Sequence, residues 1–491
     1  MHNGDEYKFK WSWWWVALSA INDLAAKKGN TKVTLTWTDP DDVVVDWITL
    51  ASWEKTILVR KTWSAPTSSS DWDVVITSTT KNQYSSTWYV DNNVVNWTTY
   101  YYVAFAVSDS GREVTGNSVS AKPVASRTFT VSWTEASDPT TWTNTYSDDA
   151  TWMTQWSTDF DEFFWYSAVL LDDSWNEVAE VTQDESWWNG NLKISLLQAK
   201  WIIDWSSNST NNVMIKFPKR WIKMTKSWST VTLSITDEEN KDWYQYYAFN
   251  SNWTTKSSLY LWAYKWSSVS NILRSISWTS SIWNFSLDNS VAAANAHTNK
   301  WYHEESWYAR CLINAYYKMK YANPNSQSVI WMWYVWWSAA QSTWATNSID
   351  TATWATNTTN TWRIKLFWLE DRWWNVLEWM DWAYYSSWTN LQTSSTWAFS
   401  TSSRITSFDK NVTVASWWMS SIDWSNDWMF AWNATSWNAS TYYCDYFGAR
   451  SGTSLHSGGN WANGDNAGAF LVDYDSASSS STSYGSRLMF L

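Results

Sequence analysis

The stretch FWLEDRWWNVLEWMDW, Phe367–Trp382, holds five tryptophans in sixteen residues. An indole that fills a core normally sits among alternating apolar neighbours; here the neighbours include Glu, Asp, Arg and Asn. With glycine written at 368, 374 and 382 the stretch becomes FGLEDRWGNVLEWMDG, an ordinary turn-and-strand sequence that keeps Trp373 and Trp379. The rest of the chain points to the same substitution. It has 491 residues with 52 Trp and only 12 Gly, where a globular chain of this length needs about 7% glycine, roughly 34 residues, for turns and helix ends.

Outward from this stretch the pattern recurs. VDWIT at Trp47, KTWSAPTS at Trp63, SSDWDVV at Trp72, STWYVDNN at Trp88 and VNWTTYYY at Trp97 are turn sequences bounded by strands. KWSWWWVALS (Lys10–Ser19) and VIWMWYVWWSAA (Val329–Ala340) read as glycine-rich once corrected. Most tryptophans are therefore read as one codon, UGA, meant as glycine in a source that reassigns this stop, while Trp37, Trp53, Trp379 and Trp461 are read as genuine. Residues 448–491 hold seven of the twelve glycines and one tryptophan; the preceding 447 residues hold five glycines and 51 tryptophans. A process that mutates adenines would leave this asymmetry, since UGA contains an adenine and GGU and GGC do not.

Charge and cysteine usage narrow the class. A net charge of -12, from 34 Lys+Arg and 46 Asp+Glu, argues against a nucleic-acid partner. No apolar run reaches the roughly 18 residues of a membrane helix, so no membrane insertion is expected. Scarce glycine and only two cysteines, Cys311 and Cys444, exclude collagen and disulfide scaffolds. Residues 1–29 read as an N-terminal linker or attachment segment.

Residues 30–125 alternate like short strands: KVTLTWTDP places Val33, Leu35 and Trp37 on one face, and ILVRK (57–61), DVVITS (73–78) and TTYYYVAFAVSDSG (98–111) follow. This segment resembles a fibronectin type III domain, in which the strand carrying Tyr100 and Tyr102 supplies a tyrosine corner. Residues 126–245 read as a β-rich intermediate region containing MIKFPKRW (214–221) and STVTLSITDEEN (229–240); DFDEFF, Asp159–Phe164, reads as a solvated acidic edge rather than a metal site. From 246 to 491 the chain predicts a helix over Glu304–Tyr321, with Trp307, Cys311, Ala315 and Met319 recurring at i+4 toward a core, and a surface loop over Ser338–Thr361.

Two motifs in this last part carry a resemblance. The corrected Phe367–Trp382 stretch is similar to the G-x-x-D-x-x-G-N-V-x-E-W core of the formylglycine-generating-enzyme type of C-type-lectin fold, on Asp371, Asn375, Glu378 and Trp379. SGGNWANGDNAGAF (Ser457–Phe470) and YGSRLMFL (Tyr484–Leu491) resemble the GG-x-W, AGAF and G-[AS]-RL ending of that fold, and more specifically the variable proteins of diversity-generating retroelements, many of them phage tail receptor-binding proteins. The fold expected is mainly β with some α: a fibronectin III-like β-sandwich followed by an α+β C-type-lectin-like domain whose variable segment spans about 440–491.

In that family the scaffold stays constant while a surface patch is rewritten, as in any loop-bearing frame. The resemblance assigns Gly458, Gly459, Gly464, Gly468 and Gly485 to turns, Trp461, Phe470, Leu488 and Met489 to the core, and Arg487 to a buried carboxylate. The display face is assigned to Asn460, Asn463, Asp465, Leu471, Asp473, Asp475, Ser476, Ser479, Ser481, Thr482 and Ser483, extended by Tyr442, Tyr443, Asp445 and Tyr446.

The implied function is noncovalent attachment to a host cell-surface protein or glycan, by an extracellular tail-fibre component of a virion that also contacts other tail proteins. A bacterial cell-surface adhesin diversified in the same way is the alternative. No cofactor is expected, although the fold is compatible with a structural calcium ion, and tail fibres are commonly homotrimers. Catalysis is not expected. An oxidase of the formylglycine-generating type needs a cysteine pair that Cys311 and Cys444 do not match, and the four histidines, at 2, 297, 303 and 456, form no HExxH zinc motif.

Overall fold

The computed structural model describes residues 16–155, 157–164, 167–172, 174, 176–182, 193–195, 211–251, 254–269, 272–276, 284–295, 302–330, 340, 364–394, 408, 410–414, 416–423, 430–433 and 440–491. Trp13, Trp14, Trp15 and nearly all of the loop expected at 338–361 lie outside the described residues. The chain is mainly β and divides into two units, Met1–Arg127 and Thr128–Leu491.

In the first unit, alternation along Lys32–Thr36 buries Val33 and Leu35, and Trp37 follows on the same face. A three-stranded sheet (Ala25–Gly29, Lys32–Thr36, Tyr89–Asp91) and a four-stranded sheet (Asp73–Ser78, Trp53–Thr62, Tyr100–Ser108, Glu113–Ala121) share one core, to which Leu58, Tyr102 and Ala104 contribute from the second sheet. Residues 16–29, expected to be linker, belong to this unit. Leu18, Ile21 and Leu24 bury their side chains in the core and Ala25–Gly29 pairs along Lys32–Thr36, because three apolar side chains spaced three residues apart offer one face to bury. The Tyr100 hydroxyl accepts a hydrogen bond from the Val95 N–H at 3.0 Å, and the Tyr102 hydroxyl donates to Asp91 at 3.0 Å.

In the second unit, a four-stranded sheet runs Asn144–Asp148, Thr128–Thr134, Thr230–Thr236, Trp221–Ser227. A seven-stranded sheet runs Lys193–Ser195, Glu177–Thr182, Ser167–Leu171, Asn212–Pro218, Ser258–Trp262, Leu488–Phe490, His303–Glu304. The regions expected as separate, 126–245 and 246–491, therefore share a sheet, since Met214 pairs with Trp262 and Leu261 with Met489. DFDEFF, expected as a solvated acidic edge, keeps Asp159 in solvent but also contributes to the core. It forms a helix, Thr158–Phe164, whose Phe160, Phe163 and Phe164, at helical spacing, enter the core while Asp159 stays exposed; the side chains of Asp161 and Glu162 lie outside the described residues.

The helix Trp307–Tyr321 starts where Ser306 caps it, its side chain accepting from the Ala309 N–H at 3.0 Å, and ends at Ala322 in the left-handed conformation. It is buried from Trp307 through Lys320. A helix covered on all sides must find internal partners for its polar side chains, and Arg310 and Lys318 do so.

Two hairpin turns bear on the tryptophan reading. Val45 pairs with Ile48, leaving Asp46 and Trp47 as the two turn residues at φ 47° and 67°. Positive φ at both positions is a type I′ turn, for which Asp-Gly is a preferred pair. Ser227 pairs with Thr230, leaving Trp228 at φ 56° followed by Ser229. Positive φ at the first position alone is the type II′ pattern, whose first residue is glycine.

Candidate functional site

The strand Leu377–Ser387 joins the two motifs. It pairs antiparallel with Thr453–Ser457, setting Glu378 beside Ser457 and Trp379 beside His456, and parallel with Tyr484–Gly485. The Trp374 N–H donates to the Gly458 carbonyl at 2.9 Å and the Trp461 N–H to the Asn375 carbonyl at 3.1 Å. Asp371, at φ 53°, accepts from the Asn375 amide at 2.8 Å. Residues a hundred positions apart thus form one frame.

Charge is concentrated beneath that frame. Arg487 donates from Nε to Glu378 Oε1 at 2.9 Å, Arg310 donates to Glu378 Oε2, and Lys265 Nζ lies 3.6 Å from Glu378 Oε1. Arg372 binds Glu305 through both terminal nitrogens, and Arg310 Nη2 lies 3.3 Å from Glu305 Oε2. All six side chains are essentially inaccessible. Burial opposes the Glu378 carboxylate, but Lys265, Arg487, Arg310 and Arg372 outweigh it and hold the group well below the usual carboxylate range. Lys265 Nζ also donates to the Trp374 and Val376 carbonyls, and the two terminal nitrogens of Arg487 donate to the Trp262 and Glu370 carbonyls.

Close approach explains one glycine directly. A Cβ on Gly468 would lie 2.0 Å from Asp445 Oδ1, and Asp445 in turn accepts from the Phe470 N–H at 2.7 Å. Gly468→Ala is expected to cost at least about 1–3 kcal/mol by overpacking, read as a lower urea midpoint; an unchanged midpoint would show that Asp445 can move aside.

The display set divides. Ser476 and Thr482 are exposed, and Asp473, Asp475, Ser479, Ser481, Ser483, Asn463, Tyr442 and Tyr446 are half-buried. Four assignments are corrected. Tyr443 is buried, with its hydroxyl on Glu135 and its ring edge-on to Trp142 at 5.1 Å. Asp445 is buried under Gly468, and burial pushes its carboxyl well above the ordinary range. Leu471 is buried as an apolar side chain should be, and Asn460 is buried because its side chain accepts from the Ala462 N–H to close a turn. The side chain of Asp465 lies outside the described residues. Among the scaffold residues, Trp461 is only partly buried.

Sequence reasoning missed Tyr474, half-buried between Asp473 and Asp475, and exposed Ser478 and Ser480; the serines lie in the same polar run as Ser476 and Ser479, while strand alternation places Tyr474 on the face of buried Val472 and gave no signal for it. It also missed Glu305, Arg310, Arg372 and Lys265. Their signal was charge inside a segment read as core. Cys311 and Cys444 are both buried, and burial pushes the Cys444 thiol up to about 12. Among the described residues no group of three or more His, Cys, Asp or Glu could hold a metal ion, and no helix is long and apolar enough to cross a membrane.

Compared with known protein families and with curated proteins, the sequence matches none.

Proposed function

We propose that the chain is a non-enzymatic receptor-binding protein of a phage tail fibre, with a fibronectin III-like sandwich followed by a C-type-lectin-type domain whose C-terminal segment carries a retroelement-diversified face. The observation that carries the reading is the division within 457–491. Gly458, Gly459, Gly468, Gly485, Phe470, Arg487, Leu488 and Met489 are buried, whereas Asp473, Asp475, Ser476, Ser479, Ser481, Thr482 and Ser483 keep accessible surface. Diversification needs that division, because the frame must survive while surface side chains change. The bound partner is a host cell-surface protein or glycan, held noncovalently; the protein's place is the virion.

Glycine at most tryptophans belongs to the same proposal. Trp368, Trp374 and Trp382, rewritten as glycine from sequence, have φ of 66°, 64° and 60°, and Trp47, Trp63, Trp72 and Trp97 lie between 67° and 92°. Trp152, Trp228 and Trp243 share that region, whereas Trp37, Trp53, Trp379, Trp461 and the suspected Trp88 do not. A bulky side chain at positive φ is a genuine outlier, and glycine is at home there.

The coding DNA tests the proposal. A near-identical repeat beside the gene is expected, with template adenines at the codons for Asp473, Asp475, Ser476 and Ser479 and none at those for Gly458, Gly459, Gly468 and Gly485. UGA is expected at Trp47, Trp63, Trp228 and Trp374. Without a repeat the diversified reading is wrong, and UGG at those four positions removes the glycine reading.

A further inference from the structure

The loop between Asp475 and Tyr484 is closed by a latch. The Tyr484 hydroxyl donates to Asp475 Oδ2 at 2.6 Å, while Asp475 Oδ1 accepts from the Ser476 N–H at 2.7 Å and the Ser479 hydroxyl at 2.8 Å. Beneath it lies the His456 imidazole, 5.0 Å from the Trp379 ring and 5.0 Å from the Tyr484 ring. The ring is 1% exposed, and neither nitrogen has a hydrogen-bond partner. Such a site suits a neutral imidazole and penalises a charged one.

The groups facing the ring come from four elements. Asp473 and Asp475 lie on the neighbouring strand, with Asp473 directly opposite His456. Trp379 lies on the other side and is fixed by its indole N–H on the Phe285 carbonyl at 2.9 Å. Tyr484 closes the top. The helix Leu287–Asn295 packs Leu287 and Val291 against Trp379, Ala477 and Tyr484, and the Asp288 N–H donates to the Ala477 carbonyl at 3.1 Å. None of these groups is a cation, and two are carboxylates that a protonated ring would seek.

We propose that His456 is a proton-operated support for the 475–484 loop: neutral, it packs Tyr484 onto the Asp475 latch; protonated, it turns toward Asp473 or Asp475 and releases Tyr484. The imidazole takes its proton from solvent, no other covalent bond changes, and the Tyr484–Asp475 hydrogen bond is the one given up. Burial depresses the basicity of the ring despite Asp473 and Asp475. The closed loop and the unfolded chain therefore differ in proton uptake below about pH 6.5, where the open form binds more protons, and closure weakens as pH falls. The inference stands on this geometry whatever the loop binds.

Amide hydrogen exchange on the full chain, corrected for intrinsic pH dependence, tests it. Protection across 476–483 is expected to fall at least tenfold between pH 7.5 and 5.0 while Thr128–Thr134 is unchanged. In His456→Phe the loop is expected to stay protected at both pH values. A flat profile in the parent chain, or a drop that persists in the variant, overturns the proposal. Should the phenylalanine variant fail to fold, His456→Gln is read in the same way, alongside an NMR titration of the four histidines in the parent chain, where a His456 resonance unresponsive between pH 7.5 and 5.0 also overturns it.

Discussion

Glycine at Trp47, Trp63, Trp72, Trp97, Trp152, Trp228 and Trp243 is expected to stabilise the protein, whereas glycine at Trp37 or Trp379 is expected to destabilise it by at least about 3–5 kcal/mol. The first seven are 61–98% exposed and sit at positive φ, so removing the indole opens no cavity and relieves backbone strain. Relief of about 1–2 kcal/mol per residue, offset by the larger entropy that glycine gives the unfolded chain, about 0.4–1 kcal/mol, leaves a net gain of roughly 0.5–1 kcal/mol at each site. Four of the positions lie in the first unit and three in the second, so each unit is expected to gain on its own. Trp37 and Trp379 are buried at ordinary φ, and their loss removes packing outright. Denaturant midpoints of the two sets decide: the same sign for both would mean that the left-handed backbone is not glycine's. Mass provides a second check, since each glycine makes the natively expressed chain about 129 Da lighter by exchanging an indolylmethyl group for hydrogen.

Removing the Glu378 carboxylate is expected to cost about 3–5 kcal/mol, because four cations would lose their shared anion in a site closed to bulk solvent. Glu378→Ala is therefore expected to lose cooperative unfolding of the second unit, and Glu378→Gln to keep the shape with a lower midpoint. The pH sign follows from the depressed carboxyl: its contribution is fully present above the unfolded value near 4.3 and is lost as pH falls below that toward the folded value. Asp445 acts oppositely, since its folded carboxyl is raised; its contribution is favourable at low pH and is lost as pH rises. Near-UV circular dichroism from pH 7 to pH 2 should show an acid limb that flattens in Glu378→Gln. A limb of unchanged steepness would place the acid sensitivity elsewhere.

The frame was legible because its residues obey local rules. Glycines at 458, 459 and 468 answer a φ requirement or a close approach, and Val33, Leu35 and Trp37 declare a face by alternation. Pairing was not legible. Nothing in Leu259–Trp266, LYLWAYKW, says that the strand Ser258–Trp262 lies between Asn212–Pro218 and Leu488–Phe490, since partners so distant leave no periodic mark, and the 126–245 boundary dissolved for that reason. Which of the polar residues expected on the surface are exposed was legible only in outline. Polar type suggested exposure, but Tyr443 and Asn460 spend their polar atoms on Glu135 and on a turn, and Asp445 is sealed by a glycine.

The strand Leu488–Phe490 lies inside the seven-stranded sheet, flanked by Ser258–Trp262 and His303–Glu304. During synthesis the seven-stranded sheet therefore stays open between those two strands until Leu488–Phe490 has emerged, whereas every strand of the first unit is made before residue 128. Loss of Leu488–Phe490 would leave two strand edges without their shared neighbour, and such edges recruit strands from other chains. A chain that lacks this strand should therefore aggregate rather than persist as a loosened fold.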